Sequence, residues 1–286
     1  MKHGMRKFWL VTSALMLAAG TALAASDGAP SLNPDPRYVA EYTPRAGETA
    51  YNFNLKGYVF GIKMITARYK GQYGNGDYSA YSDIKTSGLG ALLKKLRIWA
   101  VTDGKFDKNG IYPVTHTQQN LDKKSRRVEM RYDYPARQVS VDINPPIGSQ
   151  GKPPATMEER FSADDVPSAL LNLLTTGYLS GDEVCDGTIR VFDSKQHYGL
   201  RMERAGTRKV KFKGNKVDTI RCHVYYEPIS GFDPEDLPNM EEGGTPVKVY
   251  FWERPDLGMS IPVRFTYKIS GFKAVIKLDD MSVAKG

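Results

Sequence analysis

The sequence predicts an all-β fold, a strongly curved antiparallel meander in the form of a β-spiral or open barrel, with one or two short helices. Short runs of alternating apolar and polar residues recur from residue 50 to residue 281, and this period of two is typical of half-buried strands. Turn pairs rich in glycine, asparagine and aspartate separate the runs. About fourteen runs are present, more than one flat sheet holds, so the sheet should coil or close.

The segment Arg127–Tyr134 gives the clearest strand pattern. Its apolar residues fall at every second position, between charged ones, so one face of this strand should be buried and the other exposed to water. The pair Asn75-Gly76 predicts a hairpin, because both central residues of a type I′ turn require positive φ and these two residue types tolerate it.

Two segments have a helical pattern, a short one at Leu89–Leu96 and a better-formed one at Asp165–Thr175. An aspartate pair, Asp164 and Asp165, is available as N-cap, and Pro167 is tolerated only in a first turn. The apolar face of the second helix consists of Val166, Leu170, Leu173 and Leu174. In a protein otherwise made of strands this face must be covered, so we expect the helix to lie across the concave side of the sheet.

Residues 1–24 have the pattern of a signal peptide. Three basic residues precede an acid-free apolar run from Phe8 to Ala19, and small residues follow at Ala22-Leu23-Ala24. The run is too short to cross a bilayer comfortably, so we expect cleavage after Ala24 and a secreted, soluble protein in the periplasm. No later segment has a long uncharged apolar run, so we expect no transmembrane segment in the mature chain.

The mature chain is expected to divide into an arm and one domain. Residues 25–49 contain several prolines and few large aliphatic side chains, which predicts an extended N-terminal arm. Residues 50–286 should form a single β-spiral or barrel-like domain, because strands from both halves are needed to close its edges. The proline-rich stretch 144–155 indicates an exposed connection between the halves.

The charge of the chain favours some partners over others. The full sequence carries a formal net charge of +8, and the chain after residue 24 carries +5, because the signal peptide contains three bases and no acid. This excess suits contact with lipid headgroups or lipopolysaccharide, although it is also common in soluble proteins. No concentrated basic face with interleaved aromatic residues is present, so we expect no nucleic-acid partner.

The two cysteines, Cys185 and Cys222, are separated by 37 positions. In an oxidising compartment we expect them to form a structural disulfide, and a crosslink that closes a loop of this length stabilises a fold by about 4 kcal/mol. The alternative is a redox or catalytic pair, which would favour a C-x-x-C spacing that this sequence lacks.

No catalytic motif is present. The sequence lacks a G-x-S-x-G elbow, an H-E-x-x-H helix, a phosphate-binding glycine loop and a Cys/His cluster with metal-ligand spacing. His116, His197 and His223 each stand alone in strand-like sequence, where histidine is usually a satisfied or an exposed side chain. We therefore expect no enzyme activity, no cofactor and no metal.

Clusters of basic residues are the candidate binding sites. The six that we expect to contact an anionic partner are Lys123, Lys124, Arg126, Arg127, Arg208 and Lys209. The first four mark one hairpin tip and the last two belong to another. The alternative is that charge at hairpin tips only prevents aggregation between sheet edges.

Several segments resemble the domain of unknown function family 3108. They are Gly57-Tyr58-Val59-Phe60-Gly61, Cys185-Asp186-Gly187-Thr188 and Val191-Phe192-Asp193, within a resemblance that covers nearly all of residues 50–281. The chain is also similar to periplasmic envelope-integrity proteins, some of which fold as a strongly curved β-spiral with a disulfide and a helix in the concavity. The resemblance implies this fold and compartment, and it supplies no catalytic residue and no ligand.

Three functions are compatible with these observations. The favoured hypothesis is a non-catalytic periplasmic protein that supports the cell envelope by scaffolding or by binding a partner protein. The alternative is a carrier of a lipid or other amphiphile, with Trp99, Tyr112, Phe251 and Trp252 as candidate cavity-lining residues. An enzyme is the third. An apolar outer patch would favour the first, an apolar cavity the second, and converging polar groups with shifted pKa values the third.

Overall fold

The computed structural model of the protein describes residues 31–108, 110–122, 124–179 and 183–286. The predicted signal peptide with its cleavage site, the first residues of the arm, and Lys123 lie outside the described residues. The described part of the chain forms thirteen strands in one antiparallel sheet, close to the predicted number. The strands are β1 Glu48–Val59, β2 Ile62–Gly74, β3 Asp77–Thr86, β4 Arg97–Asp107, β5 Gly110–Asn120, β6 Arg127–Asp133, β7 Gln138–Asn144, β8 Thr188–Phe192, β9 His197–Phe212, β10 Asn215–Ser230, β11 Val247–Arg254, β12 Met259–Ile269 and β13 Phe272–Lys285.

The helices of the described residues are short except for one. They are α1 Pro36–Val39, α2 Leu89–Leu93, α3 Met157–Phe161, α4 Val166–Leu179 and α5 Met240–Gly244, with a 3-10 turn at Pro234–Asp236. The two helices expected from the sequence correspond to α2 and α4, with bounds shifted by a few residues at their C-terminal ends. Among the described residues, no helix has the length and apolarity needed to cross a bilayer.

The thirteen strands form one continuous row of antiparallel pairs, and its two edge strands are β7 and β8. It runs β7-β6-β5-β4-β3-β2-β1-β13-β12-β11-β10-β9-β8, so β1 pairs with β13 and joins the two halves of the chain. The predicted turn at Asn75-Gly76 has φ of 55° and 84° and connects β2 to β3. The curved, antiparallel, all-β fold predicted from the sequence is thereby confirmed.

The sheet coils around helix α4. This single helix contacts β3, β4 and β5 together with β8 and β12, strands that are far apart in the sheet order. A flat sheet could not bring these strands to one helix, so they must curve around it. The inner face of the sheet and the apolar side chains of α4 form the main core.

The two edge strands approach each other without forming backbone hydrogen bonds. Phe192 of β8 packs with Val128 and Tyr132 of β6 and with Val139 of β7. The segment between the two edges fills the remaining space, since α3 contacts β7 and Asp164 forms a bridge to Val191. We call this contact between the edges the seam.

The connection 144–155 is exposed or half-buried at all positions except Gly151 and Ala155, as the sequence predicted. The amide of Lys152 donates to the carbonyl oxygen of Phe232 at 2.8 Å, and the amide of Gly231 donates to that of Pro153 at 2.8 Å. Ala155 is buried in the cluster at the seam. The connection is therefore exposed and also held against residues 231–232 and the seam.

The described part of the arm lies against the outer face of the sheet. Tyr38 packs on Tyr81 and Trp99, and the Trp99 indole nitrogen donates to the carbonyl oxygen of Leu32 at 2.9 Å. Lys70 is buried, donates to the carbonyl oxygen of Val39 at 2.7 Å, and its burial lowers the pKa of its amine to about 8. The arm thus covers apolar surface that would otherwise face water.

The connections between strands alternate between two ends of the spiral. The Leu92 end carries the β1–β2 turn, the β3–β4 connection with α2, the β10–β11 connection and the β12–β13 turn. The Asn75 end carries the β2–β3, β4–β5, β9–β10 and β11–β12 turns. These two names are used below because the ends differ in packing.

Candidate functional site: the cavity between the helix and the sheet

An apolar cavity of about 170 Å³ lies between helix α4 and the inner face of the sheet. On the helix its lining includes Leu170 and Leu173, which are only partly buried. On the sheet it is lined largely by aliphatic side chains, among them Ile65, Ile84 and Ile276. Few polar residues reach it, so its walls can hold an apolar molecule and offer little to a polar one.

The cavity lies in the half of the spiral nearer the Leu92 end. Ile65, Ile98 and Ala274 stand close to the beginnings of β2, β4 and β13, and Ile84 stands close to the end of β3. All four strand termini belong to the Leu92 end. The half toward the Asn75 end contains a core cluster that includes Tyr78, Met259 and Ile261.

The half toward the Asn75 end contains the buried Leu171. It is 1% exposed and belongs to the same core cluster as Tyr78, Met259 and Ile261, which lie near the Asn75 ends of β3 and β12. Leu174, 0% exposed, belongs to this cluster and also lines the cavity. The predicted apolar face of Val166, Leu170, Leu173 and Leu174 lies against the concave side of the sheet as expected, since all four residues line the cavity. Leu171, which the sequence did not assign to that face, is also buried and packs away from the cavity.

A buried polar network anchors the N-terminal end of helix α4. The carboxylate of Asp165 accepts hydrogen bonds from the hydroxyl groups of Thr102 at 2.6 Å and Ser168 at 2.7 Å, and from the Ser168 amide at 3.2 Å. The last bond is the N-cap contact that the sequence predicted for this position. Thr102 also bonds to Nδ1 of His116 at 2.8 Å, so the network connects the helix to β4 and β5.

The Asp165 network resembles a catalytic triad in composition and differs from one in geometry. The hydroxyl of Ser168 bonds to the carboxylate of Asp165 and to the phenol of Tyr78, 2.7 Å in each case, and not to the imidazole of His116. A nucleophilic serine needs the imidazole as its base. Ser168 and Asp165 are also fully buried, so this arrangement can position the helix but offers a substrate no access.

Two neighbouring carboxyl groups in this region have opposite pKa shifts. Burial by itself would raise the pKa of Asp165, but the adjacent His116 and the hydrogen bonds from His116, Thr102 and Ser168 lower it below its ordinary value. Burial raises the pKa of Asp164 to about 7, although a hydrogen bond from Asn172 opposes the shift. The two aspartates therefore contribute to stability with opposite dependence on pH.

The residues that follow helix α4 meet strand β10 at the cysteine pair. The sulfur atoms of Cys185 and Cys222 are at bonding distance, with Cα atoms 5.4 Å apart. Both side chains are buried among Met202, Ile220 and Phe251. The pair thus connects the segment after the helix to the sheet, and the polar network connects the segment before it.

The candidate contacts for an anionic partner are in very different environments. Arg126 is 5% exposed and donates to the carbonyl oxygen of Pro145 at 3.0 Å, and Arg127 bonds to Glu129 at 2.7 Å beside Trp99. These two arginines hold the β5–β6 turn in place. Lys124 is half-buried in the same turn, while Lys123 lies outside the described residues.

Arg208 and Lys209 are exposed on β9, close to the Asn75 end. Lys209 lies 3.1 Å from Asp218 on the paired strand. Of the five predicted residues that the structure describes, Lys124, Arg126 and Arg127 lie at a turn at one end of the spiral, and Arg208 and Lys209 lie on a hairpin near the other, so the structure does not bring these five together.

The four candidate aromatic residues do not line the cavity. Trp99 is on the outer face, under the arm, and Phe251 is in the core beside the cysteine pair. Tyr112 packs on Tyr134, and Trp252 on Phe212. The lining is mostly aliphatic, and the aromatic residues that contribute to it are Phe53, Tyr69, Tyr198, Tyr226, Phe265 and Tyr267. The sequence did not single these out, because the alternation of apolar residues in a strand does not by itself distinguish a cavity from a packed core.

The histidines are less isolated than the sequence indicated. His116 belongs to the Asp165 network, and His197 is fully buried with a ring nitrogen 3.9 Å from Glu159. His223 is half-buried on β10. In the part of the chain that the structure describes, no group of three or more histidine, cysteine or acidic residues has the arrangement of a metal site.

The fold and the cavity define a class of protein, an open, barrel-like β-spiral with a helix and an apolar cavity inside its curve. The chain belongs to the family described as protein of unknown function (DUF3108), whose family model matches residues 50–276. Comparison with curated proteins finds no match.

A similar solved structure is the crystal structure of a beta-barrel-like protein of domain of unknown function DUF1849 from Brucella abortus. It has 12% sequence identity and a TM-score of 0.46, and the match covers 85% of this chain and 100% of that one.

Proposed function

We propose that this protein is a non-catalytic carrier that binds the apolar part of an amphiphile in the cavity between helix α4 and the sheet. The observation that supports the proposal is the aliphatic lining of the cavity by residues such as Ile84, Ile276 and Leu170. Burying such a surface against a hydrocarbon chain is favourable at about 25 cal/mol per Å² of apolar area. The carrier hypothesis, second after the scaffold on sequence grounds, is thus the better supported.

The size of the cavity limits what it can hold. An engineered apolar cavity of about 150 Å³ in another protein holds one benzene molecule, and sites for drug-sized ligands are about 300 to 1,000 Å³. With about 170 Å³, this cavity fits part of one acyl chain or a small ring and not a lipid with two chains. The polar group of the ligand would remain outside the cavity.

The proposal includes the periplasm as the site of action. The signal-peptide pattern of residues 1–24 supports it, and so does the pairing distance of Cys185 and Cys222, because disulfides persist in oxidising compartments. Contact with lipid or lipopolysaccharide is part of the same proposal, since the chain after residue 24 carries net positive charge.

The experiment measures binding of fatty acids of increasing chain length by displacement of a fluorescent apolar probe, together with native mass spectrometry of the purified protein. Leu170→Phe places a larger side chain in the cavity, so we expect its affinity for fatty acids to fall by about tenfold or more, the effect of losing burial of two methylene groups. Leu170→Ala enlarges the cavity and should retain binding or extend it to longer chains.

A matched control makes the same change away from the cavity. Leu237 is 49% exposed and does not line the cavity, so Leu237→Phe should bind like the wild type. Equal affinities for Leu170→Phe and Leu237→Phe would show that the cavity is not the binding site, and an absence of any displaceable fatty acid would remove the carrier function.

Binding of a partner protein in support of the envelope is the second candidate. It is favoured by the apolar residues Leu237 and Met240, which are 49% and 96% exposed in the β10–β11 connection. Acidic residues surround them, including Glu241 and Glu242 in α5. A small apolar surface surrounded by acidic residues is complementary to a protein surface with basic residues around an apolar centre. Native mass spectrometry would detect such a partner in the same experiment.

A further inference from the structure

Five large apolar side chains are exposed at the Leu92 end, on two segments that lie against each other. They come from the β1–β2 turn with the start of β2 and from the β3–β4 connection, and we call them the leucine ridge: Phe60, Ile62, Leu89, Leu92 and Leu93. Leu92 and Leu93 are 81% and 79% exposed. Single exposed apolar residues are ordinary on a protein surface, but a contiguous group of this kind usually has a binding partner.

The backbone holds the ridge in its exposed position. Helix α2 lies directly on β2, where a side chain at Gly90 would collide with the carbonyl group of Met64. Gly88 has φ of +56°, and a side chain there would approach the carbonyl oxygen of Lys63 to 2.9 Å. The amide of Ser87 donates to the Met64 carbonyl oxygen at 2.8 Å. The glycines thus fix the helix with its leucines pointing outward.

Basic residues surround the leucine ridge. Lys63, Lys94 and Lys95 are exposed within or next to it. The neighbouring β12–β13 turn adds Lys268 and Lys273, both exposed, and it contacts the ridge directly because the Phe60 ring lies 5.9 Å from that of Phe272. The segments 60–63, 88–97 and 268–273 contain no acidic residue.

We propose that the leucine ridge docks on the surface of a membrane that contains anionic lipids. An exposed apolar edge bordered by lysines fits the boundary between headgroups and acyl chains, where the apolar side chains insert and the amines pair with phosphate groups. Lysine stems can lie along apolar surface while their amines reach the headgroups. A protein partner would more often offer acidic side chains at fixed points, whereas the lysines here lie on three separate segments around the ridge.

The acidic β10–β11 connection marks where the docking surface ends. Glu241 and Glu242 of α5 lie at the same end of the spiral, and Glu241 accepts a hydrogen bond from the Ser270 amide at 2.6 Å. Anionic headgroups would repel these carboxylates, so the spiral would meet the membrane on the side of α2 and away from α5. The proposal does not depend on the cavity, because the ridge side chains are outside it.

The test measures partition of the purified protein onto vesicles of phosphatidylcholine with and without phosphatidylglycerol. We expect binding only when phosphatidylglycerol is present. Leu92→Ser/Leu93→Ser should lower the partition coefficient by about tenfold for each leucine removed, and Lys63→Ser/Lys95→Ser by about fivefold for each lysine.

The matched control removes two lysines from the opposite end. Lys211 and Lys216 are exposed on β9 and β10 near the Asn75 end, and Lys211→Ser/Lys216→Ser should change partition by less than about twofold, because charges far beyond the Debye length are screened. All variants should keep the melting temperature of the wild type, since the replaced side chains are on the surface.

Three results would overturn the proposal. The first is equal partition of Leu92→Ser/Leu93→Ser and wild type, and the second is no binding of the wild type to either kind of vesicle. The third is a dimer, seen by sedimentation, that dissociates in Leu92→Ser/Leu93→Ser without any vesicle binding, because this would assign the ridge to a second copy of the chain. Loss of fatty-acid binding in the cavity would leave the proposal unaffected.

Discussion

The two halves of the concave side differ in how the same helix meets the sheet. Toward the Asn75 end, Leu171 is buried in a core cluster of aromatic and branched side chains. Toward the Leu92 end, Leu170 and Leu173 face a cavity of about 170 Å³. The same helix borders the packed region and the cavity, so this difference in packing comes from the sheet. One helix can therefore stabilise a β-spiral on one side and leave space for a ligand on the other.

The largest expected effect compares truncation on the two sides of the helix. Leu171→Ala should lower the free energy of unfolding by about 2 to 5 kcal/mol, because it creates a new cavity in a buried cluster away from the existing one. Leu170→Ala should cost only about 1 to 2 kcal/mol, because the side chain is half-buried and already borders empty space. Thermal melts measure both, and 1 kcal/mol corresponds to about 2 to 4 °C in a domain of this size.

Equal shifts for the two variants would remove the distinction between the packed half and the cavity half. A larger loss for Leu170→Ala would mean that the cavity is filled or collapsed in solution.

The next effect concerns the cysteine pair, which connects the segment after helix α4 to the sheet. Cys185→Ser/Cys222→Ser should lower the free energy of unfolding by about 2 to 4 kcal/mol, since the crosslink restricts the unfolded chain. Mass measurement after alkylation, with and without reductant, determines whether the bond is present. Two alkylated thiols in the native, unreduced protein would contradict it.

The smallest effect is a change of stability with pH at Asp164. The pKa of this carboxyl group is raised to about 7 in the folded protein, against about 3.9 in an unfolded chain. As pH rises, the unfolded state loses its proton first, so the contribution of Asp164 to stability falls between about pH 4 and pH 7 and then stays constant. Asp164→Asn should therefore be more stable than wild type at pH 8, by about 1 to 3 kcal/mol, and nearly equal to it at pH 4.

Asp165 provides the control, because its contribution to stability changes with pH in the opposite direction. The pKa of Asp165 is lowered by His116 and by its hydrogen bonds, in spite of burial, so its contribution is present above the unfolded pKa and is lost as pH falls through the folded one. Asp165→Asn should be less stable than wild type at pH 8. Melts of both variants at pH 4 and pH 8 separate the two, and parallel curves would contradict both assignments.

The strands, turns and helix starts of the fold could be predicted from the sequence, because each depends on residues that are neighbours along the chain. Alternating apolar residues predicted strand β6 and its one buried face. The Asn75-Gly76 pair predicted the β2–β3 turn, because both residue types tolerate positive φ. Asp165 and Pro167 predicted where helix α4 begins. Each feature follows from hydrogen bonds or sterics within a few positions along the chain.

The candidate site could not be predicted in the same way because it depends on which of two apolar faces turns inward. On β4, Ile98 and Ala100 face the cavity while Trp99 between them lies under the arm. Both faces are apolar because the outer one is covered by residues of the arm, so a period of two does not identify the inner one. On helix α4, the spacing of apolar residues identified the side that faces the sheet, but it could not show that this side borders empty space while Leu171 is packed.

The exposed leucines had a signal in the sequence that was not used for function. The pattern of Leu89–Leu96 predicted a helix, and the Lys94-Lys95 pair that follows is a basic cluster outside the six candidate contacts. Gly88 and Gly90 in the same segment are the residues that let the helix approach β2 so closely, but the contact they make is with a strand more than twenty residues earlier. Only the paired strands bring these segments together.

The seam between β7 and β8 gives the spiral a freedom that a closed barrel lacks. In a closed barrel, the number of strands and their stagger determine the diameter, and widening it breaks ladder hydrogen bonds. Here the two edges meet through Phe192 and the side chains of β6 and β7. A change in circumference at the seam would therefore leave all twelve strand pairings intact, and the backbone hydrogen bonds between Asp164 and β8 would keep the intervening segment attached to that edge.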